Sequence, residues 1–336
     1  MRFPDMNRQT ACADLGIDTG LFFYERDAWR AKHEMDGRFV FLEFKPSQGV
    51  EMSTIEKNVG RGGINKPGDV KVVQGLLNLA IEAVGLSEDG KIGPSTISAI
   101  DYFQSHKMGI KPTGCVDPAG ATLIMLNKNA QGPQCTQDRI DLPSGGTASK
   151  LGDADFQQAA TDLGCEVAAI RAVTEVESRG DGFFASKKPK ILFEAHVFSR
   201  LTYHCFDKAY PDISSKKWNK KLYAGGEAEY PRLIKAMAID RTAALQSASW
   251  GMFQIMGFNY QACGYGSVES FINDMFESES RHLTAFVGFI NKNKLASALK
   301  NKSWATFAAA YNGADYAANQ YDTKMETAYK KFAGKK

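Results

Sequence analysis

The stretch Ala172-Val173-Thr174-Glu175-Val176-Glu177-Ser178-Arg179-Gly180 decides how the second half of the chain is read. Ile170, just upstream, and Val173 recur at helical spacing, which predicts a helix from about Cys165 to Ser178. At about 100° per residue, Glu177 falls within roughly 20° of Ile170 and 40° of Val173, on the inward face. Glu175 lies about 140° from Ile170 and points outward. A carboxyl turned inward near the end of a buried helix is poorly solvated. Its charged form is disfavoured and its pKa is expected to rise, which suits a general acid. Gly180 supplies a helix stop and leaves that carboxyl at the edge of a cleft. Taken alone, Glu177 reads as a helix-end carboxylate paired with Arg171 or Arg179. Two later segments change that weighting.

The first is Ser249-Trp250-Gly251-Met252-Phe253-Gln254-Ile255-Met256-Gly257, glycine-bounded and apolar around one amide. A buried amide needs hydrogen-bond partners. The second is Ala308-Ala309-Ala310-Tyr311-Asn312-Gly313. In this order, the three segments resemble those of the goose-type lysozyme and soluble lytic transglycosylase superfamily. The stretch Lys188–Thr202, KPKILFEAHVFSRLT, is similar to one in the N-acetylmuramidase group of phage endolysins. The resemblance implies that Glu177 is the acid and that Gln254 lines a sugar cleft. It also implies that Tyr311 reaches toward acid and substrate, and that Asn312 supports the late turn. Phe253 and Ile255 read as core.

A second carboxylate is harder to find. An inverting glycosidase needs a base to activate water. A lytic transglycosylase does not, because the substrate's own hydroxyl attacks. Glu194, an acid in the otherwise apolar run ILFEAHVF, is the best candidate, and a structural ion pair explains it equally well. Asp181 and Asp240 are weaker candidates. His196 and His204 lie near Cys205 and Asp207, but no HExxH or paired Cys/His spacing occurs, so no metal and no cofactor are expected.

The first half carries its own signature. Asp69 precedes Val70, Val73, Leu76, Leu77 and Ile81, which reads as an N-cap and a helix. The turn Ser87–Pro94 follows. A second helix carries Thr96, Ala99, Ile100 and Phe103. After the turn Gly109–Gly114 comes a third helix, from Pro118 to Leu126. The segment DGKIGPSTISAIDYFQ (Asp89–Gln104) with TGCVD (Thr113–Asp117) resembles the three-helix peptidoglycan-binding domain of wall hydrolases. Most of these matching residues are expected to determine the fold rather than to touch a ligand.

Composition fits two soluble modules. The chain has 336 residues, 43% hydrophobic and 24% charged, with a net charge of +3, far from the footprint of a nucleic-acid binder. Six scattered cysteines form no CxxC pair and read as reduced thiols. The N-terminal residues lack the apolar core of a signal peptide, and no run is long enough to span a membrane.

The expected fold is mainly α: a three-helix peptidoglycan-binding module linked to an α-helical lysozyme-like domain. Residues 1–55 are an extension of unknown role, in which FVFLEF (Phe39–Phe44) reads as a short strand. Residues 56–128 are the binding module, 129–150 a linker rich in Gly, Pro, Ser, Thr, Asn and Gln, and 151–336 the catalytic domain. The resemblance implies an endolysin that hydrolyses the β-1,4 bond between N-acetylmuramic acid and N-acetylglucosamine. Its partner is peptidoglycan, with no nucleic acid and no stable membrane insertion. It is expected to be a monomer, made in the host cytoplasm and acting on the wall after release through the membrane. A lytic transglycosylase on the same scaffold is one alternative. A non-catalytic wall-binding or virion structural protein is another.

Overall fold

The computed structural model describes residues 52–131, 140–178, 180–312 and 317–334. The FVFLEF segment, Cys12, Cys135, Arg179 and the side chain of Asn312 lie outside the described residues. The fold is mainly helical. Met52–Lys336 forms one compact unit.

Its first part is a helical cluster closed by a two-residue ribbon. Strand β1 (Val59–Gly60) precedes α1 (Pro67–Ala80) and α2 (Pro94–Tyr102); strand β2 (Cys115–Val116) pairs antiparallel with β1, and α3 (Ala121–Gln131) follows. Val70, Val73 and Leu77 on α1, Ile100 on α2 and Leu126 on α3 are fully buried, as their spacing predicts. Two details differ from the sequence reading. Lys66, not Asp69, occupies the N-cap of α1, and the Asp69 carboxylate accepts the amides of Glu56 and Lys57 instead (3.0 and 2.9 Å). The third helix starts at Ala121 because Ala119 is left-handed (φ 53°) and the Gly120 amide closes a turn onto Asp117.

Two buried glutamines hold the turns of this cluster. The Gln74 amide donates to Asp89, Lys91 and Thr96 and accepts from the Gly90 amide. Gln104 repeats the device: it donates to Thr113, Cys115 and Thr122 and accepts from the Thr113 and Gly114 amides (2.8 and 3.0 Å). The residues behind the resemblance therefore spend their polar groups on the fold. Replacing Gln104 by alanine orphans two backbone donors. We expect a loss of about 2–4 kcal/mol, read as a lower urea midpoint; an unchanged midpoint would refute this account of the turn.

The second part is built on α4 (Asp153–Leu163) and α5 (Val167–Glu177), with α5 two residues shorter at its start than predicted. A small antiparallel sheet follows in the order β3 (Ile191–Phe193), β4 (Ala248–Trp250), β5 (Ile255–Met256). Between β3 and β4 run α6 (Ala195–Leu201), α7 (Glu229–Met237) and α8 (Arg241–Gln246). After the sheet come α9 (Val268–Glu277), α10 (Glu279–Lys292), α11 (Ala296–Lys300), α12 (Trp304–Asn312) and α13 (Tyr321–Ala333), which packs along α5. The end of the predicted linker lies against the α9–α10 junction: the Ala148 amide donates to Glu277 and the Glu279 amide to Ser149 (both 3.0 Å).

The two parts share a buried contact. After Tyr102 the second helix continues as a π-helical turn, Phe103–Lys107. The Tyr102 hydroxyl donates to the Asp240 carboxylate (3.0 Å), and His106 Nδ1 lies 2.7 Å from the same carboxylate. His106 Nε2 is 3.0 Å from the Leu201 carbonyl, and its ring stacks on Tyr102. Burial pushes the Asp240 pKa up, but His106, the Ala243 amide and Tyr102 outweigh it, and the carboxyl sits below its ordinary range. Asp240 is thus an N-cap of α8 and a joint between the two parts.

Candidate active site

The last residue of α5 is Glu177, partly buried, while Glu175 is exposed and pairs with Lys331 (2.6 Å). The helix-angle argument thus assigned the faces of both glutamates. Arg171, one imagined partner of Glu177, is held by Asp153 (2.5 Å) and lies over the Phe156 ring. Ala169, Ile170, Ala172 and Val173 anchor the helix in the core.

Tyr311 lies beside Glu177. Burial first, and the negative charge of Glu177 second, raise its phenol well above the ordinary value. Its hydroxyl faces the Phe253 carbonyl at 3.4 Å, and its ring is set by Phe307, Phe286 and Phe289. Phe253 stacks in turn on Phe286 (4.3 Å). The glutamate helix, the β4–β5 turn and α12 therefore converge.

Gln254 closes that turn with a positive φ of 48°. Its amide nitrogen donates to the Lys190 and Gly251 carbonyls (3.2 and 2.8 Å), and its oxygen accepts from the Ser249 hydroxyl (2.9 Å). Both amide hydrogens are spent on the scaffold. Gln254 joins the turn to the chain entering β3, and only spare acceptor capacity on its oxygen remains for a ligand.

Glu194 has different neighbours. It begins α6, its own amide bonded to the Ser247 carbonyl (2.9 Å). Its carboxylate accepts the Tyr223 hydroxyl, and His196 Nδ1 is 3.2 Å away. Trp218 Nε1 donates to the Tyr223 oxygen (2.7 Å). Burial first, and the Glu194 carboxylate second, raise the Tyr223 pKa. The turn after Tyr223 is pinned by the fully buried Glu229, which accepts the Ala224 and Gly225 amides and pairs with Arg232. Arg232 also holds the Phe193 carbonyl (3.1 Å), fixing the residue before Glu194. Of the other candidates, Asp181 is exposed and paired with Lys150. His204 faces Ser199 and Asp207, apart from His196.

A supporting layer escaped the sequence reading. His282 is fully buried on α10. Its Nδ1 accepts the Met252 amide (3.1 Å), its Nε2 faces the Met275 carbonyl (2.7 Å), and Phe183 stacks on the ring. Glu279, also buried, accepts the Gly182 amide (2.9 Å) just beyond the glutamate helix. Together they clamp the loop after Glu177 to the turn that carries Gln254. Neither residue lies in a recognisable spacing, so no sequence signal marks them.

Burial lowers the His282 pKa from 6.5 to about 4. Above pH 6.5 both folded and unfolded states hold it neutral, so it costs nothing. Between about 6.5 and 4 the unfolded state binds the extra proton, and stability falls with pH, by about 3 kcal/mol in all. We expect the melting temperature to drop steadily over that interval. A flat profile from pH 7 to 4.5 would contradict it.

The N-acetylmuramidase family model matches residues 166–333, from the N-cap of α5 to the end of α13. The chain belongs to the N-acetylmuramidase family. Among solved structures, the Burkholderia AP3 phage endolysin matches this muramidase at 37% identity with a TM-score of 0.53, over 82% of this chain and 99% of that one. No curated protein sequence matches it significantly. The muramidase match encloses Glu177, Glu194, Gln254, Tyr311 and Asn312 alike. Among the described residues, no helix of the muramidase is long and apolar enough to cross a membrane.

Proposed function

We propose that this protein is a phage endolysin that hydrolyses the β-1,4 bond between N-acetylmuramic acid and N-acetylglucosamine in peptidoglycan. The observation that carries this reading is the convergence of Glu177, Tyr311 and the Phe253–Gln254 turn inside the segment matched by the muramidase family. Glu177 serves as general acid and protonates the leaving glycosidic oxygen. Tyr311 sits with its hydroxyl against the turn and within reach of the acid's charge. Gln254 sets the shape of the turn and offers its oxygen to substrate. Asn312 adds support from the end of α12. Glu194 takes the second-carboxylate role, held ready by Tyr223 and His196.

Residues 56–128 hold the wall and raise the local concentration of the catalytic part on an insoluble polymer. No cofactor enters this scheme. The protein acts as a monomer, made in the host cytoplasm and reaching the wall after release.

Mass spectrometry of digested peptidoglycan tests the reaction class. Hydrolysis leaves reducing N-acetylmuramic acid ends. Products carrying 1,6-anhydro ends would establish transglycosylation instead. Absence of any soluble fragment from permeabilised cells would leave a binding protein only.

A further inference from the structure

The segment Lys216-Lys217-Trp218-Asn219-Lys220-Lys221 carries four lysines around one tryptophan, and all six residues are exposed. The whole chain has a net charge of only +3, so this segment alone holds more positive charge than the protein's surplus. None of the four lysines forms an ion pair with a described carboxylate. Trp218 is 60% exposed, although tryptophan is normally well covered.

The indole is nonetheless held in place. Its Nε1 is tied to the Tyr223 hydroxyl, which is tied to Glu194. The loop around it is ordered by its own bonds. The Ser215 hydroxyl donates to the Lys217 carbonyl (2.9 Å), and Asn219 accepts the Lys221 amide (3.0 Å). Behind it, Glu229 fixes the turn after Tyr223. A rigid, exposed aromatic face costs little entropy to use. Cations beside it, with no described carboxylate paired to them, select an anion.

We propose that Trp218 and Lys216, Lys217, Lys220 and Lys221 form a substrate platform for one disaccharide–peptide unit of the glycan strand. The inference rests on the peptidoglycan reading above. The Trp218 face packs on the apolar face of a pyranose ring. The lysines pair with the carboxylates of the stem peptide, which a neutral glycan lacks. Through Tyr223, the platform is continuous with Glu194, so a strand seated on it runs past the second-carboxylate candidate.

The test uses the full chain and soluble disaccharide–peptide fragments of purified peptidoglycan. Binding is followed by isothermal titration calorimetry, and cleavage of longer strands by release of reducing ends. Trp218→Ala should weaken fragment binding and raise KM about tenfold, and Trp218→Phe should restore binding to within about threefold. The double variant Lys217→Gln/Lys220→Gln should weaken binding of peptide-bearing fragments while leaving binding of a neutral N-acetylglucosamine oligomer unaffected. Added salt should mimic that change. Equal binding by Trp218→Ala and parent overturns the platform, as does parent protein that fails to bind fragments. Equal affinity for a sugar-free polyanion such as polyphosphate overturns the choice of ligand. An inactive parent that still binds fragments through Trp218 would defeat the hydrolase reading and leave the platform standing.

Discussion

Glu177→Gln should lower wall cleavage by about a thousandfold, because a carboxamide has no acid proton to give the leaving oxygen. The substitution is nearly isosteric, and Glu177 is the last, partly buried residue of α5, so the fold should survive. Clearing of permeabilised cells and release of reducing ends measure the loss, and thermal melting checks the fold. Glu175→Gln is the matched control. Glu175 is exposed and paired with Lys331, so its loss should cost under about 1 kcal/mol and leave cleavage at the parent level. Substantial activity in Glu177→Gln together with its loss in Glu175→Gln would reverse the assignment.

Gly251→Ala should damage both the stability and the activity of the catalytic part. Gly251 has φ +70°, where a side chain is strained by about 1 kcal/mol or more. A Cβ there would lie 2.8 Å from His282 Nδ1 and 2.9 Å from Cε1. The imidazole has nowhere to go. It is bonded on both nitrogens, stacked on Phe183, and bounded by Gly182, whose own added Cβ would come within 2.6 Å. Overpacking of a fixed neighbour adds about 1–3 kcal/mol. The total, about 2–4 kcal/mol, should lower the melting temperature by roughly 5–10 °C. Activity should fall as well, because the Gly251 carbonyl holds the Gln254 amide. A variant that melts with the parent would show that His282 gives way more easily than its contacts indicate.

The legible parts of this protein were those with a period or a dense local spacing. Ile170 and Val173 gave the face of Glu177, since helical angle is a property of sequence alone. Asp89–Gln104 was legible because its polar residues serve turns and its apolar ones a helix, as the bonds of Gln74 and Gln104 and the burial of Ile100 show. Other features depended on contacts far apart in the chain. His282 reaches Met252 across 30 positions, and Glu279 reaches Gly182 across 97. Nothing local marks either residue. Asp69 looked like a cap because a carboxylate before an apolar run usually is one, yet Glu56 and Lys57 supply the amides it takes. Asp240 looked like a spare catalytic acid, and its partners Tyr102 and His106 lie well over a hundred residues upstream.

The contact among Tyr102, His106 and Asp240 turns a question of tether length into one of geometry. Two parts on a flexible string search a volume set by the string's reach. Two parts meeting at a buried carboxylate keep one spacing. With the wall gripped by the first part, as proposed, the protein works as a calliper: the bond within reach of Glu177 lies at a set distance from the gripped unit. Lengthening the segment between residues 132 and 139 should then matter little, whereas loosening the joint should blur where along the strand the cut falls.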